Sequence, residues 1–380
     1  MIKLSIIIMI YKILNRYNLP TLFSILFLNI ITIFYFPYYI YNYGIVWQEP
    51  VLFFIGWISS GMGITIGYHR YFSHKTFKTY SFIEWVLMLC GTMGLQNKII
   101  NWCSDHRRHH KKLDTPQDPY SITEGFLHAH IGWVVKKSDE SIGGISDLTK
   151  KPAVKFQTKY YWPLAMILCF IIPTIIGLLF NRPIGGLLWG GIVRVVLVHH
   201  FTFFINSFCH FIGKKNYELH TSARDSWFMA FLTFGEGYHN YHHKFQWDYR
   251  NGIKWYNFDP SKWIIKFLSY FKLTYNLRMV ERPAIFKAQI ETVNNQIIKI
   301  SKNINLDKLS NKNIKDITSK ALRNIESWEL LENRYKRLKN ISKKKYSNVF
   351  YKKRIKYFEL QLKNSLNSLM IILLNLKNIV

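Results

Sequence analysis

The sequence predicts an all-α integral membrane protein with four transmembrane helices and a helical cap on the cytoplasmic side. The chain has 380 residues, of which 49% are apolar and 17% aromatic, and the apolar residues gather into long runs with few charges. Such runs are typical of membrane spans. The formal net charge is +29, and the basic residues flank the apolar runs. Positive charge in this position indicates a lipid surface and argues against a nucleic-acid partner.

The N-terminal part of the chain predicts an interfacial segment followed by two spans. Residues 1–18 contain an apolar stretch that is too short to cross a bilayer and has no small-residue cleavage site, so we expect an interfacial helix. The first two spans are predicted over residues 19–38 and 51–68. The second span contains closely spaced glycines: Gly56, Gly61, Gly63 and Gly67. Small residues at this spacing predict close packing between helices.

The middle of the chain predicts one short apolar helix and two further spans. Residues 81–95 are apolar but too few to cross a bilayer, so we expect this segment to lie at the membrane interface. The third and fourth spans are predicted over residues 162–180 and 184–204. Residue Arg182 lies in the tight turn between them.

These spans divide the chain into a main domain, residues 19–280, and a C-terminal extension, residues 281–380. The cap of the main domain is formed by residues 69–160 and 205–280. The extension is rich in Lys, Asn and Ile with helical spacing of its apolar residues, and we interpret it as a basic helical segment that lies on anionic headgroups.

Charge distribution predicts the orientation. Four spans place both long polar regions on one side of the membrane, and the connections on the opposite side hold a single basic residue, Arg182. The positive-inside rule therefore places the cap in the cytoplasm, at a bacterial inner membrane or the endoplasmic reticulum.

Three histidine clusters come just beyond apolar segments, so we expect them to meet in the cap. They are HRYFSH (His69, His74), HRRHH (His106, His109, His110) and HNYHH (His239, His242, His243). In the second and third clusters the spacing i, i+3, i+4 places the imidazoles on one face of a helix. Residues five apart lie about 140° apart on a straight α-helix, so the helix must end or turn between His69 and His74.

Eight imidazoles without cysteine predict two metal ions, because a structural zinc site closes at four ligands and usually includes cysteine. The two Glu-x-x-His motifs that carboxylate-bridged di-iron proteins carry inside a helical bundle are absent as a pair, since only Glu236 and His239 have this spacing. Imidazoles around two irons leave positions open for O₂, which favours oxidation of an unactivated C–H bond over hydrolysis. A metal-binding or transport protein is the alternative, but transporters place such residues at mid-membrane.

The three clusters, together with LTFGEGYHNYHH and DYRNGIKWYNFDPSKW, resemble the histidine boxes and surrounding sequence of the membrane Δ9 fatty acyl-CoA desaturases of the stearoyl-CoA desaturase type. The resemblance runs from about Val51 to about Leu277. It implies a di-iron enzyme that uses O₂ to introduce a cis double bond at C9 of a saturated acyl chain in unsaturated fatty acid biosynthesis. A di-iron hydroxylase with the same ligands is the alternative.

The resemblance also implies partners. The acyl group would be carried by CoA, or else by a carrier protein or a lipid. Two electrons would come from cytochrome b5 or from ferredoxin with its reductase, because the chain shows no haem, flavin or iron–sulfur motif of its own. Ser104 stands where animal members have an arginine that contacts the CoA. Other basic residues are available as phosphate partners: Arg107, Arg108, Lys111, Lys112, Lys136 and Lys137.

Further site residues follow from the resemblance. In NSFCH, His210 would be the ninth ligand and Asn206 would hold a metal-bound water. The bend of the acyl tunnel would be formed by Gln96, Trp102 and Thr202, the headgroup site would include Asn97 and Asp105, and the tunnel would end near Trp57 and Gly61. The remaining histidines are interpreted as supporting or structural: His128, His130, His199, His200 and His220.

A first prediction concerns Trp57, which would close the far end of the tunnel. Because the indole is bulky, Trp57→Ala is expected to make room there and to shift the preference towards longer acyl chains. Profiling the products by chain length measures the effect. An unchanged chain-length preference would reject this assignment.

Overall fold

The computed structural model describes residues 16–137, 142–304, 308–341 and 347–379. The predicted interfacial segment at residues 1–18 lies outside these ranges except for its last three residues. The described chain forms two compact units. The first ends at Met279 and the second begins at Val280, with the segment Lys215–His220 belonging to the second.

The first unit is built from helices. In chain order they are α1 (Leu19–Tyr43), α2 (Gln48–Ser73), α3 (Ser81–Thr92), α4 (Ile99–Lys112), α5 (Pro152–Leu178), α6 (Pro183–Phe211), α7 (Trp227–Leu232), α8 (His239–Lys244) and α9 (Pro260–Tyr270). Shorter helical turns occur at Ile122–Glu124, His128–Gly132 and Trp133–Val135. A two-stranded antiparallel ribbon pairs β1 (Lys78–Thr79) with β2 (Thr274–Tyr275).

Helices α1, α2, α5 and α6 are long and apolar enough to cross a membrane, and within the described residues they are the four that meet this condition. The predicted all-α fold with four spans is therefore confirmed. Helix α3 has only 12 residues and is shorter than a span, as expected. Helices α1, α2 and α6 extend past their predicted bounds, because helical structure continues into residues where the apolar pattern stops. Helix α5 ends at Leu178, two residues before its predicted end.

Helix α5 shows the largest difference, since it begins at Pro152 and not at residue 162. Its first part is amphipathic and buries Ala153, Val154 and Gln157. A kink at Tyr160 (φ −112°, ψ 24°) precedes Pro163, which removes a backbone donor. The predicted start therefore coincides with the kink and misses the amphipathic part before it.

Helix α2 changes from α-helical to π-helical hydrogen bonding over its last eleven residues, Gly63–Ser73. Such i→i+5 bonding is rare and is frequent at functional sites. The amide of His74 donates to the carbonyl of His69 at 3.0 Å, so residues five apart lie on one side. The expectation that the helix ends between these histidines holds at Ser73, but the assumption of straight α-helical geometry was wrong.

The glycines of α2 allow close approach of neighbouring backbone. A Cβ at Gly63 would lie 2.2 Å from the backbone of Cys90 and Gly91 in α3, and a Cβ at Gly67 would lie 3.0 Å from the carbonyl oxygen of Leu87. The predicted helix packing is confirmed at these two positions. It holds α3 directly against the π-helical part of α2.

The second unit consists of α10 (Arg282–Ile304), α11 (Lys308–Ile341) and α12 (Ser347–Ile379). All three pack on one another. They share an apolar core that includes Ile290, Ile297, Ile325, Trp328, Leu362 and Leu369.

Gly63→Ala tests the contact between α2 and α3. The added methyl group meets backbone that cannot rotate away, so we expect a loss of about 1–3 kcal/mol of stability from overpacking. Thermal unfolding of the purified protein in detergent measures it. Gly132→Ala is the matched control, because its Cβ would have no neighbour closer than 3.4 Å; equal losses in both variants would contradict the packing argument.

Candidate metal centre

The nine predicted histidines form two groups in the described part of the chain. The first group contains His69, His74, His106, His110 and His242, and the second contains His109, His210, His239 and His243. Within each group the candidate ligand atoms all lie within 4.8 Å of one another. The structure therefore brings together every histidine that the sequence and its resemblance indicated.

Each helical triplet is divided between the two groups. In α4 the i, i+4 pair His106 and His110 belongs to the first group, whereas His109 belongs to the second. In α8 the i, i+4 pair is His239 and His243, and His242 crosses to the other group. Positions i+3 and i+4 differ by about 100° around a helix. The expectation that each triplet shares a single face therefore holds only for the i, i+4 pair of each triplet.

The imidazoles of each group point their Nε2 atoms at a common centre. In the first group Nε2 of His242 lies 3.0 Å from that of His69 and 2.9 Å from that of His110. In the second, Nε2 of His239 lies 3.0 Å from those of His210 and His243. Ligands roughly 3 Å apart are what an ion held about 2 Å from each imidazole nitrogen requires. The residues present therefore fit two metal ions.

The opposite ring nitrogens are anchored by other side chains. Nδ1 of His109 lies 2.8 Å from Asp118, and Nδ1 of His210 lies 2.6 Å from the hydroxyl of Ser222. Ser222 in turn donates to the carboxylate of Asp114. A carboxylate accepts and does not donate, so these contacts place the hydrogen on Nδ1 and leave the Nε2 lone pair for a metal.

A buried ionic network anchors His69. Its Nδ1 lies 2.8 Å from Glu236, and Glu236 also pairs with Arg70 at 3.0 Å. Arg70 pairs further with Asp259 at 2.9 Å, and both partners are buried. Asp259 accepts from the amide of Lys262 at the start of α9. The network thus connects the end of α2, the loop before α8 and the start of α9.

Electrostatics keep seven histidines of the two groups neutral, all of them outside the spans. Burial, reinforced mainly by neighbouring imidazoles, lowers the pKa well below 6.5 in His74, His106, His109, His110, His239, His242 and His243. Neutral imidazole is the metal-binding form. Burial alone would raise the pKa of Glu236, but His69 and Arg70 outweigh it and hold that pKa at about 2.

A cavity of about 1030 Å³ adjoins both groups, and His69, His106 and His239 lie in its wall. Every predicted substrate residue lines this cavity, together with Asn206: Trp57, Gly61, Gln96, Asn97, Trp102, Asp105 and Thr202. Trp57 contacts Phe234 and Phe201, with ring centroids 5.0 and 6.2 Å apart. These three rings form an aromatic cluster in the wall.

Three of these residues form a hydrogen-bonded ridge, which consists of Trp102, Gln96 and Thr202. The indole Nε1 of Trp102 donates to Gln96 Oε1 at 3.3 Å, and Gln96 Nε2 donates to Thr202 Oγ1 at 2.8 Å. The Trp102 ring also stacks on His106, with centroids 4.9 Å apart. The ridge therefore contacts the first histidine group directly.

Three of the six predicted phosphate partners line the cavity, and the other three, Arg107, Lys111 and Lys112, are not among its lining residues. Arg108, Lys136 and Lys137 line the cavity. Arg107 instead donates to the carbonyls of Ser73 and Phe72 and pairs with Asp147 at 2.7 Å. These bonds connect Arg107 to the end of α2, and its assignment as a phosphate partner stays a prediction.

The other histidines lie outside both groups. His130 and His200 contact each other at 3.0 Å, and His200 reaches Asn29 of α1. His199 lies against the carbonyls of Gly94 and Leu95.

The anchoring residues were not found from the sequence: Glu236, Arg70, Asp118, Ser222 and Tyr120, whose hydroxyl lies 3.2 Å from Nδ1 of His106. In the sequence, Arg70 lies within the first histidine cluster and Glu236 lies three residues before the third. Their charge in otherwise apolar surroundings was the signal that could have identified them. Asp118, Tyr120 and Ser222 come from loops that carry no such signal.

The fold and the site together define a multi-pass helical membrane protein with a buried polyhistidine centre. The sequence model described as "Fatty acid desaturase" matches residues 19–278. The chain belongs to the fatty acid desaturase family.

Three curated relatives have names that describe them as desaturases. The chain is 41% identical over 236 residues to "Probable acyl-CoA desaturase" of Schizosaccharomyces pombe, covering 61% of this chain and 49% of that protein. It is 41% identical to "Delta(9)-fatty-acid desaturase fat-7" of Caenorhabditis elegans, covering 54% and 63%. It is 34% identical to "sn-1 stearoyl-lipid 9-desaturase" of Anabaena variabilis, covering 60% and 82%. The chain thus spans about half the length of the S. pombe relative.

Asp118→Ala tests the anchoring of the second group. Removing the acceptor frees the His109 ring, and we expect metal affinity to fall about 10–100-fold. Metal content after dialysis against graded chelator measures it. Asp147→Ala is the matched control, because that carboxylate pairs with Arg107 and Lys75 and not with a histidine of either group; the same loss in both variants would refute the anchoring role.

Proposed function

We propose that the chain is an O₂-dependent desaturase that introduces a cis double bond at C9 of a saturated fatty acyl chain. The observation that carries this proposal is the position of the two histidine groups in the wall of one cavity of about 1030 Å³. This volume lies at the upper end of the range of ligand pockets. The names of the C. elegans and Anabaena relatives support the position of the double bond.

The metal ions are proposed to be two irons held by the nine histidines. Asn206 is proposed to hold a metal-bound water. When bound, the irons would supply the activation of O₂ that oxidation of an unactivated C–H bond requires. The chain's own contribution is to keep seven of these imidazoles neutral and to hold all nine in position. Glu236, Asp118 and Ser222 hold the ring nitrogens that face away from the metals.

The cavity wall is proposed to orient the substrate. The aromatic cluster of Trp57, Phe201 and Phe234 suits the methyl end of an acyl chain, since aromatic surfaces bind apolar groups. Asn97 and Asp105 are polar groups for the headgroup. The ridge lies beside His106 and so would hold the reacting carbons near the first histidine group.

Fatty acyl-CoA is the proposed form of the substrate. Arg108, Lys136 and Lys137 offer positive charge at the cavity for phosphate groups. The S. pombe relative is named for acyl-CoA and the Anabaena relative for a lipid. Assays with acyl-CoA and with acyl-lipid distinguish these carriers.

The histidine side is proposed to face the cytoplasm, where cytochrome b5 or a ferredoxin with its reductase would deliver electrons. The positive-inside rule supports this orientation. Arg182, the basic residue in the opposite connections, is already paired with Glu49 at 3.2 Å and donates to the carbonyls of Tyr43 and Gly44. Its charge is thus neutralised on that side.

Expression in a host that lacks Δ9 desaturase activity, followed by fatty-acid profiling, tests the proposal. We expect a monounsaturated product with the double bond at C9. An alcohol in place of the alkene would indicate the hydroxylase. Binding of metal with no O₂-dependent product would indicate a metal-binding protein and contradict the proposal.

His239→Ala tests the histidine centre itself. His239 contacts both His210 and His243, so its loss is expected to abolish alkene formation while membrane insertion persists. His220→Ala is the control, because His220 is exposed and belongs to neither group. Product formation and membrane content are measured for both; sustained desaturation by His239→Ala would be incompatible with a ligand role.

A further inference from the structure

The loop after α3, residues 93–97, has a backbone path that its own sequence does not favour. Leu95 and Asn97 adopt φ angles of 51° and 78°. These lie in the left-handed region, which non-glycine residues rarely occupy and which persists only where the surroundings enforce it. The contacts that enforce this path therefore determine where Gln96, between the two residues, is placed.

Arg194 of α6 holds the start of this loop. Its side chain is fully buried, and Nη1 donates a short hydrogen bond to the carbonyl of Met93. Nε donates to the carbonyl of Gly190 at 3.0 Å, within the π-helical part of the same helix. A buried guanidinium fixed at two points is a rigid donor, because its planar fork loses little freedom on binding.

His199, further along α6, holds the middle of the loop. Its Nε2 lies 3.1 Å from the carbonyl oxygen of Gly94 and 3.0 Å from that of Leu95. Both partners only accept, so Nε2 carries the hydrogen and is shared between them. The donor thus acts on the two carbonyls that immediately precede Gln96.

Other spans hold the two ends of the loop. The hydroxyl of Tyr161 accepts from the amide of Asn97 at 2.8 Å, and the hydroxyl of Tyr68 donates to the carbonyl of Asn97 at 3.3 Å. The thiol of Cys169 lies 3.3 Å from the carbonyl of Met93. Helices α2 and α5 therefore fix the ends, and within the described residues the side-chain donor to the carbonyls of Gly94 and Leu95 comes from α6.

Gln96 is the central member of the ridge, and its side chain bonds to Trp102 and Thr202. Trp102 is stacked on His106. A displacement of the loop backbone would therefore move Gln96 along the cavity relative to the first histidine group. In the proposed enzyme, the position of the ridge would determine which carbon of the acyl chain faces the first histidine group.

We infer that Arg194 and His199 are positioning residues that determine, through the loop and Gln96, which carbon–carbon bond of the acyl chain is oxidised. This inference rests on the proposed desaturation. The reaction itself is unchanged: two C–H bonds are lost and one C=C bond forms, which releases two electrons and two protons from the acyl chain. Together with two electrons from the external donor and two protons from solvent, these reduce O₂ to two molecules of water. Only the site of attack along the chain is assigned to these two residues.

The test is the position of the double bond, analysed by mass spectrometry of the products from cells that express each variant. For His199→Leu we expect about a fivefold rise in the ratio of other positional isomers to the main isomer, the scale of one lost buried hydrogen bond. His199→Gln keeps an N–H donor and is expected to restore the original ratio at least in part. A general loss of stability would lower total product without moving this ratio.

His200→Leu is the matched control. His200 is the next residue of α6, but it bonds to His130 and Asn29 and not to the loop. An unchanged isomer ratio in His199→Leu, or an equal shift in His200→Leu, overturns the inference. Absence of any alkene from the unmodified protein would instead refute the proposed function.

If His199→Leu does not accumulate in the membrane, the isomer ratio is measured for Arg194→Lys instead. This variant keeps the buried positive charge but replaces the fork with a single shorter donor, which cannot serve both Gly190 and Met93. We expect the same direction of change in the isomer ratio. A ratio identical to that of the unmodified protein would show that the loop does not depend on Arg194.

Discussion

The constraint on which this structure depends is the convergence of nine imidazole Nε2 atoms on two adjacent centres. Imidazole rings rotate freely unless the far nitrogen is bound, so the convergence requires a second set of residues around the histidines. Asp118, Glu236 and Ser222 belong to this set. They come from three separate connections between helices, and the folding of the whole cap is therefore a condition for the site.

The π-helical end of α2 meets this constraint for two of the nine histidines, His69 and His74. An α-helix would turn His69 and His74 away from each other, whereas i→i+5 bonding brings both into the first group. The close contact of Gly63 with α3 lies at the start of the same stretch. The glycine pattern and the histidine spacing are thus two aspects of one structural element.

The sequence predicted the helical fold, the spans and the histidines well, because apolar runs and histidine spacing are local patterns. It did not predict the division of the triplets, since that depends on how α4 and α8 are rotated against each other in the fold. The bonds of Arg107 to Asp147 and to the end of α2 were likewise not visible, because they join residues far apart in the chain. The kink at Tyr160 hid the amphipathic start of α5, because that part lacks the apolar run of a span.

The division of each triplet between the two groups has a consequence for how ions bind. His109 and His110 are adjacent in α4 but serve different groups, and the same is true of His242 and His243 in α8. Each group takes ligands from both α4 and α8, so an ion held in either group would contact both helices. The relative placement of these two helices therefore sets the ligand geometry of both groups at once, and a shift of one helix against the other would alter both.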